Sequence, residues 1–327
     1  MEGTPAQTGT HRAEPDTDLT SARAGDADAF ARLVAPYDRE LLLHCYRMLG
    51  SAADAADARQ ETLLRAWQGL DRFDGRHLRA WLYRIASNRC LTMIDRRGRR
   101  ELPMTLATGD AEVSWLEPLP GGWLGSTPEE QAIDRETVRL AFVAALQTLP
   151  AAQRAVLLLR DVLAFRAAEV AGILDLSVPA VTSLLQRARA AVADGLPAPS
   201  STSDDAGLDA LAERYTRAWE AGDIDQIVTL LAEDVRYAMP PEPRWYLGSA
   251  SVAAFLRDGP LQARWRFLRT EANGQLAFAT YMFDAQHGDF RPAGLDVLSV
   301  ADGSVREVVS FLDADFAAFG LPTTLPA

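Results

Sequence analysis

Lysine does not occur in the 327 residues, so all 33 basic side chains are arginine. That uniformity reads as a codon-composition effect and carries no chemistry of its own. Cysteine is nearly absent. The two present, Cys45 and Cys90, sit in helical stretches without CxxC or Cys/His spacing, which argues against a disulfide framework and against a zinc site. They are expected as buried reduced thiols, and no metal or cofactor is called for. Long apolar runs are missing as well: nowhere do about 18 apolar residues follow one another, as a membrane span requires. Residues 1–30 are polar and acidic and hold no apolar targeting segment. The chain is expected to act in the cytoplasm with no membrane partner. What is present, 48% hydrophobic and 24% charged, is the balance of a soluble globular chain with room for two or three domains.

A net charge of −12 would argue against nucleic acid if it were evenly spread. It is not. Residues 30–100 carry a balance of +6, residues 101–135 a balance of −6, residues 136–194 nearly none, and residues 204–327 a balance of −9. By charge, the first block alone resembles a nucleic-acid surface. Within it, a helix runs to Met48, Gly50-Ser51 breaks it, and a second helix follows with Leu63, Leu64, Ala66 and Trp67 as apolar positions. Further on, Trp81, Leu82, Ile85 and Leu91 form a core stripe. Arg79, Arg84, Asn88, Arg89, Arg96, Arg97, Arg99 and Arg100 are left to solvent or to phosphate, and the run "DRRGRR" favours phosphate.

Residues 167–192, "AAEVAGILDLSVPAVTSLLQRARAAV", read as two short helices with a break at Asp175-Leu176 and a proline, Pro179, tolerated in the first turn of the second. In that second helix Val181, Leu185 and Ala188 share one face, leaving Thr182, Ser183, Gln186, Arg187 and Arg189 outward. This is the layout of a helix-turn-helix with a major-groove reading helix, although an ordinary helical hairpin has the same periodicity and the usual turn glycine is missing.

With "DAADARQETLLRAW", "FDGRHLRAWLYRIASNRCLTMIDRRGRR" and "TLPAAQRAVLLLRDVLAFRAAEVAGILDLSVPAVTSLLQRARA" in this order, the chain resembles extracytoplasmic-function (ECF) sigma factors of bacterial RNA polymerase over roughly residues 25–195. The resemblance implies that Asp57, Gln60, Glu61 and Arg65 contact the clamp helices of the polymerase largest subunit. It makes the segment with Arg76, Arg84, Asn88, Arg89, Arg96 and Arg97 the surface for the promoter −10 element, and Thr182, Ser183, Gln186, Arg187 and Arg189 the readers of the −35 element. In that family the connector runs through polymerase channels. A plain tether is the other reading of residues 101–135, but Trp115 and Trp123 are costly to leave wet, so docking, on the C-terminal unit among other surfaces, is expected.

After the Pro/Ser-rich "GLPAPSSTSDDAG", helices come first and short alternating strands afterwards, with Asn273-Gly274 and Asp302-Gly303 as hairpin turns. "YTRAWEAGDIDQIVTLLAEDVRYAMPP" with "WYLGSASVAAFL" resembles SnoaL-like domains of the ketosteroid-isomerase type, which implies a cone with an apolar pocket. Trp219, Tyr237, Trp245, Tyr281, His287 and Asp296 are the pocket candidates, with Asp234 at the mouth. No convergent catalytic set is visible, so no enzyme activity is expected and no ligand is named.

The expected fold is therefore multidomain: two all-α sigma domains, the second a helix-turn-helix, plus an α+β cone with a curved antiparallel sheet. The expected bounds are a disordered acidic N-terminus (1–24), sigma region 2 (25–100), an acidic linker (101–135), sigma region 4 (136–195), a short linker (196–205) and a SnoaL-like regulatory domain (206–327) that contacts the sigma domains in cis. The alternative is a SnoaL-like enzyme or ligand sensor fused to a DNA-binding helix-turn-helix.

Overall fold

The computed structural model describes residues 15–97, 100–101, 114–125, 127–193 and 205–327. The first helical unit is built on α2 (Ala27–Leu49), which starts where the Asp26 carboxylate accepts from the amides of Asp28 and Ala29 and stops at Gly50, in the left-handed region at φ 69°. Ser51 accepts from the Asp54 amide and so starts α3 (Ala52–Gly69), while α4 (Leu78–Arg97) packs across both. Residues expected to be disordered include a helix, α1 (Pro15–Arg23). Leu19 and Ala22, one turn apart, reach a small apolar cluster with Ala29, Leu70 and Phe73, and Arg23 donates through Nε to the Leu70 carbonyl at 3.3 Å. The rest of that expectation, residues 1–14, lies outside the described residues.

Two short strands, β1 (Arg100–Glu101) and β2 (Ser114–Trp115), pair in parallel. Helix α5 (Pro128–Val138) begins inside the stretch expected to be an acidic linker, because Thr127 accepts from the Glu130 amide and Pro128 fits the first turn. Four helices follow: α6 (Leu140–Thr148), α7 (Ala151–Leu157), which widens into a π-turn over Leu158–Val162, α8 (Ala167–Leu174) and α9 (Val178–Ala193). The missing turn glycine is replaced by Asp175, which takes the left-handed conformation itself at φ 55°; a short polar side chain tolerates that better than an apolar one.

The α7–α9 group does not stand apart from the first unit. α8 packs on α4, Tyr83 and Phe165 meet edge to face at 5.2 Å, and Arg79 reaches across from α4. Its guanidinium lies 4.5 Å over the Phe165 ring, donates to the Leu163 carbonyl at 3.2 Å and pairs with Glu40 at 3.0 Å. Arg79 is thus a bridge between helices and is not left to solvent or phosphate. Arg154 of α7, 1% exposed, donates to the carbonyls of Met48, Gln147 and Leu149 and to the Gln147 side chain.

The C-terminal unit opens with α10 (Asp205–Ala221) and α11 (Ile224–Leu230). It continues through β3 (Leu231–Ala238), β4 (Trp245–Leu247), α12 (Ser249–Asp258), β5 (Trp265–Ala272), β6 (Gln275–Asp284), β7 (Asp289–Ala301) and β8 (Ser304–Phe311). The six strands form one sheet in the order β4-β3-β8-β7-β6-β5. It is mixed, because β3 and β8 run parallel while every other pair is antiparallel. The inner face, with Phe267, Phe278 and Leu298, closes on α10 to α12 as one core. The outer face, with Tyr281, Leu295 and Phe311, joins the apolar cluster that runs on through the helical units.

Candidate functional site

On α3, Asp57, Gln60 and Arg65 are exposed and Glu61 half-buried, while Ala55, Ala58, Thr62 and Ala66 face inward. The spacing of three and four puts the first set on one ridge. Glu61 and Arg65 pair with each other at 2.6 Å. The structure adds Leu64, 50% exposed in the middle of this ridge, which the sequence reading assigned to the apolar face. On α4, Arg84, Asn88 and Arg96 are exposed on the side away from Leu82, Ala86 and Cys90, Arg89 is half-buried, and Arg76 is exposed on the preceding loop. The side chain of Arg97 lies outside the described residues. Tyr83 belongs to the core: fully buried, it donates to Glu40 at 3.2 Å, and burial raises its phenol well above the usual value.

Helix α9 buries Val181, Leu185, Ala188 and Val192 and exposes Thr182, Ser183, Gln186, Arg187 and Arg189. Ser177 accepts from the Ala180 amide and so fixes the helix start. Arg189 is held by a partner. Both of its forked nitrogens bond Asp161, at 2.8 and 2.7 Å, which ties α9 back to the π-turn.

Of the pocket candidates, the cone brings three together. Trp219, Tyr237 and Asp296 are buried inside it, beside Tyr215 and Ser310, which the sequence reading missed. Tyr215 was findable, one helical turn before Trp219 on the same face. It donates to Asp296 at 3.5 Å and stacks on Phe278 at 5.1 Å. Burial raises the Asp296 carboxyl to about 6, against the hydrogen bonds from Ser310 and Tyr215. The other candidates fall elsewhere, because strand register decides the face. Trp245 pairs with outward Ala238 and is 42% exposed, so Tyr246 takes the inward place beside Phe255. Tyr281, three residues after inward Phe278, lies on the outer face and donates to the Pro322 carbonyl. His287 sits in the β6–β7 turn, half exposed and 2.6 Å from Asp284, and Asp234 is exposed and paired with Arg306.

Family models for sigma-70 region 2, sigma-70 region 4 and a SnoaL-like domain match residues 33–100, 139–192 and 212–308. The ECF RNA polymerase sigma factor SigG of Mycobacterium tuberculosis is 45% identical over 329 residues, covering 93% of this chain and 86% of that protein. The chain belongs to the ECF RNA polymerase sigma factors. SigW of Bacillus subtilis matches only part of this sigma factor, at 34% identity over 53% of the chain. The crystal structure of the M. tuberculosis ECF sigma factor SigJ superimposes with a TM-score of 0.61 at 25% identity, covering 88% of this chain and all of that one. Promoter-specific transcription initiation is therefore its function, and family membership implies a regulator and not an enzyme.

In this sigma factor residues 116–125 of the connector are docked. Glu117 holds it to region 2: its carboxylate accepts from Ser51 Oγ at 2.6 Å and from the Ala53 amide, its amide donates to the Gly50 carbonyl at 3.0 Å, and its carbonyl accepts from the Tyr46 hydroxyl. From the other side the β5–β6 hairpin of the SnoaL-like domain reaches in. Pro120 bridges Ala272, and Asn273 at the tip is fully buried. Its Nδ2 donates to Tyr46 Oη at 2.6 Å and to the Val138 carbonyl at 2.7 Å, its Oδ1 accepts from the Leu119 amide at 2.8 Å, and its own amide donates to the Leu119 carbonyl at 2.9 Å. Gln275 then accepts from the Leu140 amide at the start of α6.

Proposed function

We propose that this sigma factor binds core RNA polymerase through the α3 ridge, with the clamp helices of the largest subunit as its dock, and reads the −10 and −35 elements with α4 and α9. The C-terminal domain regulates it in cis. The observation that carries the polymerase reading is the α3 ridge itself: polar side chains at Asp57, Gln60, Glu61 and Arg65 surround a half-exposed Leu64. An apolar centre with a polar rim is the anatomy of a partner surface and gives a lone helix nothing. On α4 and α9 the exposed Arg84, Arg96 and Arg187 suit phosphate, and Asn88, Thr182, Ser183 and Gln186 suit base edges.

Run-off transcription with purified core polymerase tests both parts. The double variant Gln60→Ala, Glu61→Arg is expected to lose polymerase binding while keeping the fold. A chain ending at Pro199 is expected to initiate at a rate different from the full chain. If neither the full nor the shortened chain binds core polymerase or starts transcripts on a genomic fragment library, the docking reading is wrong.

A further inference from the structure

One side chain of the C-terminal domain is bonded to three parts of the sigma module at once. Asn273 joins α2 through Tyr46, the connector through Leu119, and the α5–α6 joint through Val138. Gln275 adds a bond to the first free amide of α6, where an unpaired buried donor would otherwise be costly. The fit is close. Gly274 has φ 64°, and a Cβ there would stand 2.8 Å from the Arg135 backbone, so the turn meets α5 main chain to side chain with no space between. We propose that the Asn273-Gly274 hairpin is a latch that holds region 4 against region 2 and so keeps the sigma factor from its promoter. This rests on the assignment of α4 and α9 to the two promoter elements.

Geometry gives the direction. α8 packs on α4 and α9 packs on α8, so at 8–10 Å per helix contact the reading helix lies about 20 Å from α4. The −10 and −35 elements are about 25 base pairs apart, roughly 85 Å along B-DNA at 3.4 Å per pair. Both cannot be engaged while α8 sits on α4. Region 4 has to swing away, and this breaks the Arg79 contacts with Leu163 and Phe165 and the Arg154 bond to Met48. α6 runs into α7 through Leu149 and Pro150, so the swing cannot begin while Val138 and Leu140 are pinned to Tyr46 and the connector through the hairpin. The same pin keeps Leu116–Gly125 on region 2, where it is unavailable to a polymerase channel.

Two full-length variants of opposite sign test the latch. Asn273→Asp keeps a residue that tolerates the left-handed turn, loses both Nδ2 donors and sets a carboxylate against the Val138 carbonyl. Losing two buried hydrogen bonds is expected to shift the closed–open ratio on the order of ten-fold, read as a similar rise in transcripts from genomic fragments with core polymerase. Pro120→Cys with Ala272→Cys uses the antiparallel bridge between these residues, a spacing a disulfide accepts. The oxidised chain is expected to initiate at least about ten-fold less than the same chain after reduction, a comparison that a folding defect cannot imitate. Equal output from the oxidised and reduced chains, or no rise with Asn273→Asp, overturns the latch. Silence of every form, the one ending at Pro199 included, overturns the promoter assignment beneath it.

Discussion

Asp296→Asn is expected to stabilise the C-terminal domain at neutral pH, by an amount that depends on pH. The carboxyl is 2% exposed, between Phe278 and Ser310 on neighbouring strands and below the Tyr215 hydroxyl. Burial raises it from 3.8 to about 6, and the hydrogen bonds from Ser310 and Tyr215 only moderate that rise. In the unfolded chain the group titrates near 3.8, so from about pH 4 to about pH 6 the folded domain holds a proton that the unfolded chain has released. Stability is then fully present below pH 4, falls as pH rises to about 6, and is flat beyond. About two pKa units at about 1.4 kcal/mol each amount to about 3 kcal/mol at pH 7.5. Asparagine keeps the shape and one acceptor but adds donors without partners, which returns about 1 kcal/mol. The variant is therefore expected to exceed wild type by about 2 kcal/mol at pH 7.5 and to lose that advantage below pH 5. Urea unfolding of the full chain at a series of pH values, followed by tryptophan fluorescence, measures the difference. A difference that stays constant with pH would refute the reasoning, since it would mean that Asp296 is wetter than its surroundings imply.

Arg154→Met is expected to cost at least about 3 kcal/mol, read as a lowered melting temperature, because three carbonyls and the Gln147 side chain lose their donor together in a site closed to water. Arg154→Lys recovers only part of it, since an ammonium cannot reproduce the fork. Arg79→Ala removes the Glu40 pair and the ring contact with Phe165; while the Asn273 hairpin is intact, small-angle scattering is expected to show an unchanged radius of gyration, and a larger one once Asn273→Asp is added. Asp175→Gly relieves a left-handed residue at an exposed turn and is expected to stabilise by up to about 1 kcal/mol in thermal unfolding.

Periodicity made the helices legible. The Gly50 break, the apolar stripe of α9 and both Asn-Gly and Asp-Gly turns follow from local residue chemistry, and the structure has them at those positions. Periodicity does not tell a free arginine from a bridging one. Arg79 and Arg84 sit five residues apart on the same helix, and only the arrival of Leu163 and Phe165 from another unit makes the first a bridge. Arg154 is the extreme case, for its acceptors are the ends of two other helices, and no spacing in the sequence points to them. Three of the six pocket candidates lie outside the cone for a related reason. Residue type marks Trp245 and Tyr281 as candidates, whereas face is set by register, and one residue of slip exchanges inside for outside; His287 lies in the β6–β7 turn, beyond both strands.

A balance of −9 on residues 204–327 and +6 on residues 30–100 allows the two to attract, but the interface between the units is built otherwise. Among the described residues the ion pair across it is Arg135 with Glu271, whose side chains are 46% and 39% exposed, a setting in which such pairs contribute little, and its arginine belongs to the connector and not to the basic block. Among the described residues, what chiefly joins the units is the fully buried amide of Asn273, Gln275 and a continuous apolar cluster. Such an interface responds weakly to salt, because neutral hydrogen bonds and apolar burial are not screened. Raising ionic strength should therefore leave the closed form closed while weakening promoter phosphate contacts. Salt alone cannot be the release, and whatever opens this sigma factor has to compete for the same carbonyls, amides and apolar surface that the hairpin now covers.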